Sequence, residues 1–208
     1  AKGLHKIRII TNGKHLYELN RCDLLAKCEL QLTIESANPE IQEQYRGKGS
    51  FEILTNIKHK MLEYDNIGRV TARVNISHRN SDDIERIVEM CREWKFDVVR
   101  FSFLQKKGRA LYDSALIDYD TDEASTIISR IRQMCTECSN STMRIEFDEC
   151  LPNKGCELMD IYNIAISPMI TAKGNVYPCT KLTYEFCSLG NINDMSLMNI
   201  IASKKAHD

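Results

Sequence analysis

The fold follows from one stretch in the middle of the chain, RVTARVNISHRNSDDIERIVEMC, at residues 69–91. Its first part, residues 69–76, is a short run rich in β-branched and apolar residues, which is typical of a strand. The second part has apolar residues at the spacing of one helix face, namely Ile84, Ile87, Val88 and Cys91. A strand followed by an amphipathic helix indicates one β/α unit of a parallel sheet.

The same alternation extends outward from this unit. Further strands are predicted at residues 7–11, 29–35, 97–104 and 143–148. Asn38 followed by Pro39 predicts the start of one helix, and Ser50 can cap the next. The RGKG stretch at 46–49 is interpreted as a break between these helices, because no strand precedes it as in a phosphate-binding loop. We therefore expect an α/β fold, part of a TIM-type β/α barrel, over residues 1–148.

The character of the sequence changes at residue 149. Residues 150–179 contain three cysteines and three of the four prolines, and they show no long helical period. NIAIS at 163–167 and NVYP at 175–178 predict two short strands joined by a turn around 172–175. A short helix is predicted at 195–203. We expect a small cysteine-rich hairpin-and-helix extension over residues 149–208.

The composition argues against two classes of partner. The net charge of -1 gives no electrostatic reason to expect nucleic acid binding. No apolar run approaches the roughly 18–20 residues that span a bilayer, so no membrane is expected. We expect a cytoplasmic protein, whose nine cysteines stay reduced and either bind metal or are buried as thiols.

Several cysteines are predicted to be structural. Cys135 and Cys138 form a C-x2-C pair, but both fall on the apolar face of a predicted helix, which favours core thiols over a metal or redox site. Cys91 lies on a similar apolar face. Cys22 and Cys28 have no third ligand nearby in the sequence.

Cys150, Cys156 and Cys179 have different surroundings, because they lie in the irregular extension, where backbone can fold around a metal centre. The C-x5-C loop can bring two thiolates together, and a hairpin running from Gly174 to Cys179 can return a third. An iron–sulfur cluster held entirely by protein needs four thiolates. The fourth is either Cys187 or a residue beyond the end of this chain.

A second interpretation of the cysteines is a closed structural zinc site made of Cys135, Cys138, Cys150 and Cys156, whose spacing allows it. The chain would then be a non-catalytic module with a degenerate barrel that binds zinc or a partner. The apolar helix face through the first two cysteines counts against this alternative.

The motifs, taken together and in order, resemble the radical S-adenosylmethionine (radical SAM) enzymes that carry a SPASM/twitch iron–sulfur extension. The resemblance covers nearly the whole chain. It rests on ITNG at 10–13, LTIESANPEIQEQYRGKGSFE at 32–52, VTARVNISHRN at 70–80, QKKGRA at 105–110, the C-x5-C loop, GNVYPC at 174–179 and SLGNINDMSL at 188–197. It identifies residues 1–148 as the C-terminal part of the partial barrel and residues 149–208 as the first half of the SPASM extension.

The resemblance implies two kinds of cofactor, S-adenosylmethionine and [4Fe-4S] clusters. It assigns Cys150, Cys156 and Cys179 to the first auxiliary cluster of the extension. The family's catalytic cluster is held by a C-x3-C-x2-C loop, which this sequence lacks and which would lie before Ala1. We therefore expect a segment of a longer enzyme that is inactive by itself.

The resemblance also implies that the cofactor lies across the C-terminal ends of the barrel strands, where such barrels place their active sites. Thr33 and Glu35 occupy positions where the family usually has Ser and Asp, so they are candidates to bind the amino-acid or ribose groups. Arg73 is a candidate to pair with the carboxylate. Asn12 and Asn75 lie at two further strand ends, where a turn cap or a strand-to-loop hydrogen bond is the alternative.

The implied activity is that of an oxidoreductase in which a reduced cluster cleaves S-adenosylmethionine and the resulting 5'-deoxyadenosyl radical abstracts a substrate hydrogen. The implied partners are a peptide or protein substrate and an electron donor such as flavodoxin or ferredoxin. Thr180 stands where sulfatase-maturing relatives tend to have an aspartate, which disfavours that branch.

Overall fold

The computed structural model describes residues 7–16, 28–63, 68–105, 110, 112–113, 119–139, 142–148, 168–178 and 184–206. The chain divides into two units, Ala1–Asn153 and Lys154–Asp208. The first contains a five-stranded sheet and the second a three-stranded sheet. In the part of the chain that is described, no helix has both the length and the apolar character needed to cross a bilayer.

The sheet of the first unit is entirely parallel, and its spatial order follows the chain order. Parallel neighbours need crossover connections, which places the intervening helices against the sheet. This confirms the predicted α/β class, and the predicted strands differ from the observed ones only at their ends. The strands are β1 (Ile7–Thr11), β2 (Cys28–Thr33), β3 (Val70–Ile76), β4 (Val98–Phe103) and β5 (Arg144–Asp148).

Capping side chains mark where two helices of the first unit begin. The side chain of Asn38 accepts a hydrogen bond from the backbone N–H of Glu40 at 2.9 Å, as the Asn-Pro signal predicts. Asp120 and Glu123 form a reciprocal capping box. The helices are α1 (Pro39–Arg46), α2 (Ser50–Glu63), α3 (Ile84–Glu93, preceded by the 3-10 turn Ser81–Asp83) and α4 (Thr121–Glu137).

The two faces of this sheet differ in chemistry, because successive strand residues point to opposite sides. One face is apolar and forms a single buried core with the apolar stripes of the helices. It includes Leu30, Leu32, Val70, Ala72, Val74, Ile76, Val99, Phe101, Phe103 and Ile145. On the other face only Ile10 and Val98 are apolar. This polar face consists otherwise of Arg8, Glu29, Gln31, Thr33, Thr71, Arg73, Asn75, Arg100, Ser102, Arg144, Glu146 and Asp148.

The second unit has a small antiparallel sheet. Its hairpin turns where the sequence predicts, although the strand predicted at 163–167 lies outside the described residues. The helix predicted at 195–203 is present and shorter. The elements are β6 (Met169–Ile170), β7 (Asn175–Tyr177), β8 (Gly190–Asn191), α5 (Leu197–Ile201) and the 3-10 turns Glu185–Cys187 and Lys204–Ala206.

Candidate functional site

Arg73 is the central cation at the C-terminal half of the polar face. Its Nη2 donates a hydrogen bond to Ser102 Oγ at 2.8 Å. No ion pair found among the described residues includes Arg73. Burial lowers the pKa of Arg73; the Asp148 carboxylate opposes this effect, and two nearby arginines add to it. A half-buried guanidinium with one neutral partner is suited to bind an anionic group.

Two other arginines of the polar face are already paired with carboxylates. Arg8 lies 3.0 Å from the carboxylate of the buried Glu29. Arg100 donates through Nε to Glu146 Oε2 at 2.8 Å. Arg100 lies directly opposite Arg73 in the register, but its charge is already met by Glu146. The capacity of these strand residues to bind an added anion is therefore concentrated at Arg73.

Glu35 is buried just beyond β2, with 6% of its surface exposed. Its carboxylate accepts a hydrogen bond from Arg46 Nε at 2.8 Å, and Arg46 Nη2 contacts the same oxygen. Burial raises the pKa of Glu35, and the Arg46 cation partly offsets this. The structure therefore places Glu35 where it orients Arg46, which the sequence analysis did not single out.

A cavity of about 650 Å³ opens where β1 and β2 end, beside α1 and the first turn of α2. This volume falls within the roughly 300–1,000 Å³ of small-molecule pockets. The predicted break at 46–49 is confirmed, since α1 ends at Arg46 and α2 begins at Ser50, but this break also forms one wall. The polar lining includes Asn12, Lys14, Thr33, Tyr45, Arg46 and Lys48.

The five side chains predicted to bind a cofactor all lie toward the C-terminal edge of the sheet. Asn12 and Thr33 line the cavity, and Glu35 holds Arg46 beside them. Asn12 Oδ1 also caps a turn, and Asn75 Oδ1 accepts from the hydroxyl that binds Arg73. The local hydrogen bonds named as the alternative for the two asparagines are thus present, and cofactor binding by the five stays a prediction.

The turn of the GNVYPC motif is built by asparagines. Gly174 has a φ of +84°, and a Cβ there would lie 2.6 Å from Asn191 Oδ1 and 2.7 Å from Asn193 Nδ2. Asn191 Nδ2 donates to the carbonyl of Lys173 at 3.0 Å and to Asn175 Oδ1 at 2.8 Å. Residues 174–175 of GNVYPC therefore lie against Asn191 and Asn193 of LGNIN, which leaves no room for a side chain at position 174.

The three cysteines assigned to the auxiliary cluster, Cys150, Cys156 and Cys179, lie outside the described residues, so their role stays a prediction. No group of three or more residues able to hold a metal ion occurs within the described ranges. Cys135 and Cys138 pack, partly buried, against the core of the first unit. These two positions agree with the core interpretation.

The comparison with protein families decides what the second unit resembles. The model of the SPASM iron–sulfur cluster-binding domain matches residues 164–208. This part of the chain is similar to that domain. The match begins before the Gly174 turn and includes the paired asparagine motifs. No curated protein matches the sequence.

Solved structures share the fold of the whole chain. Streptococcus suis SuiB bound to S-adenosylmethionine superposes with a TM-score of 0.67 at 13% identity, covering 97% of this chain and 49% of SuiB. The protein anSMEcpe with bound AdoMet and Kp18Cys peptide gives 0.64 at 15% identity, covering 97% and 58%. The chain thus spans about half the length of these proteins. The predicted partial barrel and the resemblance to radical SAM enzymes with a SPASM domain are confirmed.

Proposed function

We propose that this chain is a segment of a radical SAM enzyme that modifies a peptide or protein. The observation that carries the proposal is the SPASM domain, which follows a parallel sheet of the fold found in SuiB and anSMEcpe. The polar face of that sheet supplies the groups that bind the cofactor, and Cys150, Cys156 and Cys179 of the extension supply thiolates.

The polar face suits S-adenosylmethionine, which when bound and reduced supplies a 5'-deoxyadenosyl radical. The amino-acid end of S-adenosylmethionine carries a carboxylate, and the Arg73 guanidinium can pair with it. Arg73 forms no ion pair with another of the described residues. Arg46 is a second cation at the cavity wall. The Thr33 hydroxyl and the amides of Asn12 and Asn75 are suited to hydrogen-bond the ribose or amino groups.

In this proposal the chain's own residues bind S-adenosylmethionine and orient it. Thr33 lies directly opposite Arg73 in the register of β2 and β3, so a hydroxyl and a cation are held side by side by the sheet. The Glu35 carboxylate keeps Arg46 in the cavity wall. Such fixed partners lower the cost of orienting a bound molecule, because the protein groups need little rearrangement.

The extension over residues 149–208 is proposed to bind an auxiliary [4Fe-4S] cluster through Cys150, Cys156 and Cys179, of which only Cys179 lies within the matched residues 164–208. Thiolates suit iron–sulfur clusters, and an irregular backbone can surround one. The cluster would tune electron flow or orient the substrate.

The substrate and the donor follow from the same proposal. A peptide is bound in the anSMEcpe structure, and a peptide or protein is the substrate class proposed here. The electron would come from a donor such as flavodoxin or ferredoxin, and the enzyme would act in the cytoplasm.

Counting iron in the full-length gene product, purified without oxygen and reconstituted with iron and sulfide, tests the proposal. The triple variant C150A/C156A/C179A is expected to lose about four irons per chain, the content of one [4Fe-4S] cluster. Cys138→Ser is the matched control, because Cys138 is a cysteine that packs against the core. It should keep the full iron content.

Two results would contradict the proposal. Equal iron content in the triple variant and the wild type would remove the cluster assignment. Tightly bound zinc, lost from Cys138→Ser and from the triple variant alike, would favour the zinc module instead.

A further inference from the structure

The loop that follows β2 is fixed by two buried side chains outside it. Gln42, which is 1% exposed, accepts hydrogen bonds through Oε1 from the backbone N–H of Glu35 at 2.8 Å and of Ser36 at 3.3 Å. Asp83, which is 6% exposed, accepts from the backbone N–H of Ala37 at 2.8 Å and from the Ser36 hydroxyl. The consecutive amides of the loop are thereby satisfied by groups from α1 and from the 3-10 turn before α3.

A third buried side chain joins this loop to the next strand. Asn80, which is 1% exposed, donates through Nδ2 to the carbonyl of Glu35 at 2.7 Å and to that of Asn75 at 3.0 Å. Its Oδ1 accepts from the backbone N–H of Ser77 at 2.8 Å. One amide side chain therefore ties the backbone after β2 to the end of β3, where the ladder between the two strands stops.

The same cluster reaches the cavity wall. The Ser77 hydroxyl lies 2.7 Å from the Tyr45 hydroxyl. Ser77 Oγ also donates a hydrogen bond to Asn80 Oδ1 at 3.4 Å. Tyr45 and its neighbour Arg46 both line the cavity. A displacement of the Asn80 amide would therefore shift both the strand ends and the cavity wall.

We infer that Asn80, together with Asp83 in the adjoining loop contacts, positions the cofactor site, a role that rests on the proposed function. Thr33 and Arg73 face each other across β2 and β3, and their separation depends on how the two strand ends are held. Asn80 holds them without itself facing the cavity. A bound molecule that contacts both side chains needs this spacing, and small misplacements weaken binding strongly.

The test replaces Asn80 with aspartate in the full-length gene product and measures the Kd for S-adenosylmethionine by titration calorimetry. In Asn80→Asp a carboxylate oxygen replaces the N–H₂ group that serves two carbonyls. The two carbonyls would lose their donor and the strand ends could shift, so the Kd is expected to rise about tenfold or more, since a displacement of about 1 Å can cost up to about 100-fold.

Thr71→Val is the matched control. Thr71 is fully buried on the same sheet, and its hydroxyl donates to Glu29 Oε1 at 3.1 Å, far from the strand ends. Its loss removes a buried hydrogen bond and lowers the thermal midpoint, while the Kd should stay within about twofold of the wild type. Equal changes in Kd for Asn80→Asp and Thr71→Val would overturn the positioning role.

A second pair of variants covers the case in which Asn80→Asp does not fold. Asp83→Ala removes the acceptor of the Ala37 amide, whereas Asp83→Asn keeps an oxygen acceptor there. The Kd should rise in the alanine variant and recover in the asparagine variant. An alanine variant with wild-type affinity would contradict the inference.

Hydrogen exchange separates this inference from the proposed function. The amides of residues 34–38 should exchange faster in Asn80→Asp or Asp83→Ala than in the wild type, with no ligand present. Unchanged exchange would show that Asn80 and Asp83 do not hold this loop and would overturn the inference. A wild type that fails to bind S-adenosylmethionine would instead overturn the proposed function, whatever the exchange shows.

Discussion

The two faces of the parallel sheet in the first unit show how one set of strands divides two tasks. Residues such as Phe101 point into the core and are fully buried. Their neighbours along the same strands, such as Arg100 and Ser102, form the polar face. Because strand residues alternate in direction, the sequence can build a stable core without constraining the groups on the other side. Stability and ligand binding should therefore respond to different substitutions.

The largest change in the free energy of unfolding is expected from a substitution on the apolar face. Phe101→Ala deletes a ring from a closely packed core and should lower the free energy of unfolding by about 3–5 kcal/mol. Chemical denaturation measures this change. Phe186→Ala is the control, since Phe186 is 82% exposed, and its cost should stay within about 0.5 kcal/mol. Similar costs for both variants would mean that the buried face does not carry the stability.

The polar face should show the opposite behaviour. Arg73→Gln is expected to raise the Kd for S-adenosylmethionine about 10- to 100-fold, since a hydrogen bond to a charged group contributes roughly 1.5–3 kcal/mol. Its effect on unfolding should be small, because the described structure gives Arg73 one hydrogen bond and burial disfavours its charge. Calorimetric titration and denaturation measure the two quantities.

Arg144→Gln is the control for Arg73. Arg144 lies on the same face at the start of β5, away from the C-terminal edge. Its replacement should leave the Kd unchanged. An equal loss of affinity in both variants would show that the positive charge of the whole face, not its C-terminal end, attracts the ligand.

A pH series sharpens the contrast at Glu35. Because burial raises the pKa of Glu35 above its ordinary value, folding shifts this carboxyl group toward its protonated form. Its stabilising contribution is complete below the ordinary glutamate pKa of about 4.3 and is lost as pH rises through the raised value. The stability of the wild type relative to Glu35→Gln should therefore fall with rising pH. A rising difference would mean that attraction to Arg46 outweighs burial.

The smallest change in the free energy of unfolding is expected from the ion pair between Glu85 of α3 and Arg130 of α4. A hydrogen bond from Arg130 lowers the pKa of Glu85, so this carboxylate stabilises the fold above its ordinary pKa and loses that effect as pH falls through the lowered value. Glu85→Gln should cost about 0.2–1 kcal/mol at pH 7, as for an exposed ion pair. Denaturation at pH 7 and pH 3 checks it, and a larger cost at pH 3 would contradict the assignment.

The sequence predicts the elements of the first unit well because each depends on local patterns. Alternating runs mark the strands, and the Asn38-Pro39 pair marks the start of α1. These patterns locate the strands, whereas the choice of Thr33 and Arg73 as cofactor-binding residues came from the resemblance and stays a prediction.

The partners of these side chains could not be predicted. Arg46 reaches Glu35 across a loop and a helix, and Asn80 reaches the Glu35 carbonyl from 45 positions away. Both contacts depend on the packing of separate elements, which no local pattern encodes. The assignment of the cluster ligands depends on the resemblance for a related reason. An irregular segment has no periodic sequence pattern from which its structure can be predicted.

Hydrogen exchange of the full-length gene product, with and without S-adenosylmethionine, tests the central claim most directly. Binding to the C-terminal edge of the polar face predicts slower exchange at residues 11–14, 33–36 and 73–77. Exchange in α3 and α4, which cover the opposite face, should not change. Protection confined to those helices, or no protection at saturating ligand, would contradict the assignment of the polar face as the cofactor site.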